Sequence, residues 1–425
     1  MTEPTAPARK LKYIPAFDGI RGLFCLIIIS HHLPVHYSRV PFAFGWEILQ
    51  LFFVMSGYLI TSILLKDKNY PFKEFASRFY LKRFYRIFPL YFFFIFLCLF
   101  VGYFTSSIKF WQDLRMWEDL QINWGYLVTY TFNLKEWFNF KAGQMYSISP
   151  LFAHLWSLSL EEQFYIFYPL IVYFLSEKSL KITLVSIVVL SPFVRLAGFH
   201  YMNANIPEVY PQIPGFHKSD LIAWILHRNT IFQLDALSLG GCLALFNFDW
   251  IKKPVRLFWI IFVVFLIVVF GNAWLDMQNG LFPTLRDALM EHTLLGRNYQ
   301  YFYLYTLVNL LMASLILVTF KENNPFKIFE NKILIMLGQI SYGLYVYHFL
   351  VLAIYMFVWQ LVGRKIHIKL LPLAANNLIV EIIFVFFFYL ILIKLSQWSF
   401  KYFESYFLNL KANLDKAKKE KQLNL

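Results

Sequence analysis

Apolar runs of about 20 residues recur from one end of this chain to the other, each long enough to cross a hydrocarbon core roughly 30 Å thick. They fall near residues 17–33, 43–65, 87–106, 151–175, 182–200, 230–248, 257–274, 300–320, 333–358 and 377–400. Lipid offers the backbone no hydrogen-bond partners, so each run must pair its own N–H and C=O groups, which a helix does. The expectation is an all-α integral membrane protein, a bundle of about ten transmembrane helices. Composition agrees, since 59% of the 425 residues are hydrophobic and only 15% are charged, far from an average soluble domain.

The net charge of +14 does not point to nucleic acid, because the lysines and arginines return in alternate loops instead of pooling in one patch. Arg9, Lys10 and Lys12 precede the first run, and Lys66, Lys68, Lys73, Arg78, Lys82, Arg83 and Arg86 fill the second connection. Lys178 and Lys181, then Lys252, Lys253 and Arg256, then Lys321, Lys327 and Lys332, continue the pattern, and Lys411 to Lys421 end it. By the positive-inside rule these loops and both termini are cytoplasmic, which requires an even number of spans. The division is a flexible N-terminus (1–12), a transmembrane domain (13–404) and a basic tail (405–425), with disorder expected in 1–12 and beyond about 410. The stretch "WGYLVTYTF" (124–132) is too short to cross and is expected to be interfacial or re-entrant. The first run lacks a small-residue cleavage site after it and reads as a retained helix. Cys25, Cys98 and Cys242 lack paired spacing and imply neither a metal nor a disulfide framework.

Ionisable groups inside apolar runs carry most of the functional information, because burying them costs free energy. In "FDGIRGLFCLIIISHHL" (17–33), Arg21 and His32 are eleven positions apart. That is three turns plus roughly 20°, which places both on one helix face about 16 Å apart along the axis, while His31 points roughly 80° away. A bland alternative has Arg21 snorkelling and His32 ending the helix. In "HLWSLSLEEQFYIFYP" (154–169), Glu161 and Glu162 interrupt an apolar span; adjacent helical positions diverge by about 100°, so only one faces a given partner. The alternative is a structural ion pair or helix–helix hydrogen bond, with Arg195 or Arg228 as partner. In "SRFYLKRFYRIFP" (77–89), Arg83 and Arg86 are neighbours at i and i+3 and suit bidentate phosphate contacts; lipid headgroups would serve them as well.

Taken together, these segments resemble acyltransferase family 3, the polytopic O-acyltransferases that acetylate extracytoplasmic carbohydrates. The resemblance runs over nearly the whole chain and rests on six segments in family order. They are "FDGIRG" with Arg21 and His32, "LFFVMSGYLIT" (51–61), "RFYRIFP" (83–89), "HLWSLSLEEQFY" (154–165), "FQLDALSLGGCLA" (232–244) and "ISYGLYVYHFLV" (340–351). It implies ten helices, a cytosolic acyl-CoA donor (acetyl-CoA or a longer acyl-CoA), no metal, and an acceptor hydroxyl on a carbohydrate or glycolipid across the membrane, in a bacterial inner membrane. His32 would be the general base, with a covalent acyl-His as a variant. Arg21 would stabilise negative charge on the donor, and Arg83 and Arg86 would hold its phosphates. Glu161 or Glu162 would orient His32 or Arg21. Gly57, Asp235, Tyr342 and His348 also match, with packing as a role at least equal to chemistry. Two departures stand out. "YFESYF" has Glu404 followed by Ser405 and Tyr406 where many relatives carry Glu-x-Pro, and the sequence closes on a short basic tail where some relatives carry a hydrolase-like extracytoplasmic domain, so any acceptor-handling partner is expected to come from another polypeptide or to be unnecessary.

The competing class is a secondary transporter, which also buries ionisable residues in a helical bundle. Transporters commonly show two matching halves with broken helices. Here the Arg21/His32 interval and the Glu161–Glu162 pair have no counterparts in the second half.

Overall fold

Pro15 opens the first helix at a position where its missing N–H is no loss, and Asp18 in the first turn complements the helix dipole; the result is α1 (Pro15–His31). The computed structural model describes residues 13–33, 45–113, 116–141, 151–206, 218–291, 300, 302–320, 325–365 and 378–423. The N-terminal stretch 1–12, expected to be flexible, lies outside them. Among the described residues every regular element is helical.

Each of the ten apolar runs holds a helix. After α1 come α2 (Gly45–Asp67) and α3 (Phe72–Thr105), then the short α4 (Lys109–Asp113), α5 (Met116–Val128) and α6 (Lys135–Lys141). Next are α7 (Leu155–Phe174), α8 (Glu177–Asn205), α9 (Lys218–Arg228), α10 (Leu234–Leu245), α11 (Pro254–Gln278), α12 (Leu285–Glu291) and α13 (Leu304–Thr319). The order closes with α14 (Lys332–Gln339), α15 (Ser341–Lys365), α16 (Leu378–Ser399) and α17 (Ser405–Leu423). Six described helical stretches are long and apolar enough to cross a membrane: those of α2, α3, α8, α11, α15, and α16 with the start of α17. The chain is an integral membrane protein. Helices α1, α7, α10 and α13 are shorter or less apolar; the 12 residues of α10 rise only about 18 Å.

Three stretches differ from the hydropathy reading, each because polar groups or packing intervene. The run 230–248 opens in a 3-10 turn, Thr230–Phe232, capped by the Asn229 side chain, which accepts from the Ile231 N–H at 3.2 Å. Segment 124–132 is not one piece. Helix α5 ends at Val128, Tyr130 turns the chain at φ 53°, and its ring stacks on Tyr91 with centroids 4.4 Å apart. Gln163 braces that turn, donating to the Tyr130 carbonyl at 2.7 Å and to Asn133 at 2.8 Å. The tail beyond 410 is helical through Leu423, as the continuation of a helix that begins at Ser405 and whose Leu408, Lys411 and Ala412 pack into the bundle at the wall of a cavity.

Small residues bring the bundle's backbones together. A Cβ on Gly57 would run into the Leu237 carbonyl oxygen, and one on Gly240 into that of Val54, so α2 and α10 touch backbone to backbone. Two buried ion pairs tie further helices. Arg195 donates to both Asp235 oxygens at 3.0 and 2.8 Å, to the Phe232 carbonyl and to Thr306. Arg228 meets Glu136 at 2.7 Å. The two arginines that Glu161 or Glu162 could have paired with are thereby occupied, whereas a helix–helix hydrogen bond does reach Glu161, from Ser56 on α2.

Candidate active site

Along α1, Arg21, Cys25 and Ile28 follow steps of four and three residues, and His32 caps the helix one further turn on. Along α7, Ser157, Glu161 and Tyr165 follow two steps of four residues, with His154 one turn before. Each set forms one stripe, and the two stripes face a common cavity of about 560 Å³, a size typical of small-molecule sites. Its wall includes Arg21, Ser56, Lys82, Arg83, Arg86, Ser157, Glu161, Glu162, Tyr165, Tyr342 and Tyr345, with Leu408, Lys411 and Ala412 from α17. Five of the six candidate site residues, all but His32, therefore meet here: Arg21, Arg83, Arg86, Glu161 and Glu162, joined by Lys82.

Arg21 is ion-paired to Asp18 at 3.7 Å, one turn back on the same helix. The Arg83 guanidinium lies 5.0 Å from the centroid of the Tyr165 ring, a cation–π distance. Glu161 accepts from Ser56 at 2.8 Å and from Tyr165 at 2.9 Å. Glu162 is buried, and its Oε1 has no hydrogen-bond partner. At the Ser157 end of the wall, the Tyr345 hydroxyl lies 2.7 Å from Ser157 Oγ and donates to the His154 carbonyl at 3.0 Å.

His32 is not among the residues lining the cavity. It sits beyond Tyr345 in a cluster of histidines. His32 Nδ1 is 3.0 Å from His348 Nε2, the two rings stack with centroids 5.0 Å apart, and the His154 ring lies 4.7 Å from that of His348. Among the described residues neither Glu161 nor Glu162 hydrogen-bonds His32 or Arg21: His32 meets a histidine, Arg21 pairs with Asp18, and Glu161 accepts from Ser56 and Tyr165. His348 was visible in "ISYGLYVYHFLV", but its spacing cannot reveal a partner on another helix. His154 and Ser56 carried no signal beyond their place in quoted segments. Asp235 is a helix-contact residue through Arg195. Tyr342 donates to the Ile87 carbonyl at 2.8 Å. Glu404 is buried at the π-helical turn Phe400–Glu404 and accepts from Ser399 at 3.2 Å. Among the described residues no group of three or more acidic, histidine or cysteine side chains is placed to hold a metal.

The sequence model of the acyltransferase domain matches residues 14–398. Over 359 residues the chain is 29% identical to a protein of Staphylococcus aureus (strain COL) named "Putative O-acetyltransferase", covering 81% of this chain and 52% of that protein. It is 30% identical over 212 residues to the "Putative peptidoglycan O-acetyltransferase YrhL" of Bacillus subtilis (strain 168), 47% of this chain and 30% of that one. To the O-acetyltransferase OatA of S. aureus (strain NCTC 8325 / PS 47) it is 32% identical over 170 residues, 39% of this chain and 26% of OatA. The chain spans about half the length of the first of these relatives. No solved structure matches it significantly. A single match that takes in both α1 with its Arg21–His32 stripe and α15 with His348 leaves one assignment: the chain belongs to acyltransferase family 3.

Proposed function

We propose that the protein transfers an acyl group, acetyl or longer, from cytosolic acyl-CoA to a hydroxyl of an extracytoplasmic carbohydrate or glycolipid, with peptidoglycan as the first acceptor to try. The observation that carries the reading is one cavity in which Arg21, Lys82, Arg83 and Arg86 share a wall with Glu161 and with the Tyr345–Ser157 contact beside the histidines. The cations suit the phosphates of the donor, and the apolar remainder of the wall suits its flexible arm. His32 takes the proton of the acceptor hydroxyl, whose oxygen attacks the thioester carbonyl. The carbon–sulfur bond breaks and the proton passes from His32 to the departing thiolate, leaving an ester and free CoA, while Arg21, about 16 Å back along α1, holds negative charge on the phosphate side of the donor. The relatives named as O-acetyltransferases support the reaction class, and the family match leaves the transporter reading without support. In this reading ten helices span a bacterial inner membrane and both termini are cytoplasmic.

The test uses sealed vesicles of known orientation holding the purified protein, labelled acetyl-CoA and a peptidoglycan fragment. Label should reach the fragment, with one free thiol released per ester, only when acetyl-CoA is on the face bearing Arg83 and the acceptor is on the other. Absence of thiol release with any acyl-CoA on either face overturns the proposal.

A further inference from the structure

The three histidines beyond the cavity are hydrogen-bonded in a way that fixes their protons. His348 Nδ1 lies 2.6 Å from the carbonyl oxygen of Tyr345, a group that can only accept, so Nδ1 carries the proton. His348 is fully buried and no carboxylate bonds it among the described residues, so the ring is uncharged and its Nε2 has a lone pair. The atom facing that lone pair at 3.0 Å is His32 Nδ1, which must therefore donate. An uncharged His32 that carries its proton on Nδ1 has its lone pair on Nε2. His154 is held the same way. Its Nε2 lies 3.2 Å from the Val346 carbonyl and donates to it, while its buried Nδ1 has no partner.

We propose that His348 is the positioning residue that sets the tautomer of His32, leaving Nε2 as the nitrogen that takes the acceptor proton. The proposal rests on His32 being the base. When Nε2 takes the proton, the imidazolium formed keeps its Nδ1–H on His348 Nε2, so the charge appears where an acceptor already waits. A carbonyl-anchored neutral imidazole thus occupies the place that a carboxylate holds in a Ser-His-Asp triad. The backbone of α15 supplies the anchor, and the tautomer is consequently a property of the helix packing.

The experiment compares His32→Ala, His348→Phe, His348→Gln and the His32→Ala/His348→Phe double variant in the transfer assay. Phenylalanine keeps a ring but offers no acceptor; glutamine can present its side-chain oxygen to His32 Nδ1. His348→Phe should lower kcat by at least about tenfold with the KM for acyl-CoA unchanged, as loss of an orienting partner does. His348→Gln should recover part of it, and the double variant should be no worse than His32→Ala alone. Full kcat in His348→Phe beside an inactive His32→Ala overturns the role of His348. Equal losses in the Phe and Gln variants also overturn it, as packing would. An active His32→Ala sinks the general-base reading itself. Nitrogen-15 spectra of the unmutated protein decide independently of any variant's folding: the unprotonated signal lost on His32→Ala must be Nε2, and an Nδ1 assignment overturns the proposal.

Discussion

Arg195 is fully buried, and Asp235 with two further oxygen partners, the Phe232 carbonyl and Thr306, makes its charge tolerable there. Removing one member of such a pair strands the other, which costs about 3–5 kcal/mol. Asp235→Ala should therefore lower thermal stability in detergent steeply and reduce the amount of protein in membranes, whereas an inactive but fully stable variant would make the pair catalytic. Chemistry is expected elsewhere. His32→Ala should reduce transfer at least about a hundredfold while still binding acyl-CoA, and His31→Ala should be mild because its ring leaves the Arg21 stripe. Equal collapse of both variants in the same assay would return the two histidines to a structural role. Replacing Arg83 and Arg86 together by Ala should raise the KM for acyl-CoA at near-normal abundance, with Lys rescuing only in part because the planar fork is gone; an unchanged KM would leave them as lipid-facing charge. The residues in these predictions differ in how far the sequence disclosed them. Arg21 and His32 share a face by helical spacing alone, so that relation was legible. The bond from His32 to His348 spans 316 positions, and no periodicity in one chain encodes a contact between helices.

At the scale of elements, hydropathy located a helix in every apolar run because burial of apolar surface is a local property of composition. It missed the 3-10 opening before α10, the division between α14 and α15 near Ile340, and the docked helix α17, since each depends on what the neighbouring element offers. It also missed the stripe on α7, although Ser157, Glu161 and Tyr165 stand four residues apart, a spacing that keeps them on one helix face. The seam between α2 and α10 has its own consequence. A Cβ at Gly57 meets backbone, not a side chain that can swing away, so Gly57→Val must force the helices apart. The cost should reach at least the roughly 1–3 kcal/mol typical of overpacking, read as a lowered unfolding temperature. Gly271, with open space around its Cβ position, provides the control, and Gly271→Ala should leave that temperature nearly unchanged.

Across the whole molecule, two helices running in opposite directions along one cavity put cations and histidines in reach of the same elongated ligand. The family, the helical class and the basic faces followed from the sequence; the cavity did not, because it is assembled from α1, α2, α3, α7, α15 and α17. The last of these has a practical consequence. Helix α17 contributes Leu408, Lys411 and Ala412 to the cavity wall and then continues through Lys416, Lys418, Lys419 and Lys421, a run of positive charge. Anionic phospholipid attracts such a run with about 1 kcal/mol per basic side chain at the surface. With acyl-CoA as the proposed occupant of the cavity, the bilayer's headgroups would then compete with its phosphates for the helix that forms part of the cavity wall. Apparent donor affinity should accordingly differ between phosphatidylglycerol-rich vesicles and neutral detergent, and the difference should shrink as salt is added.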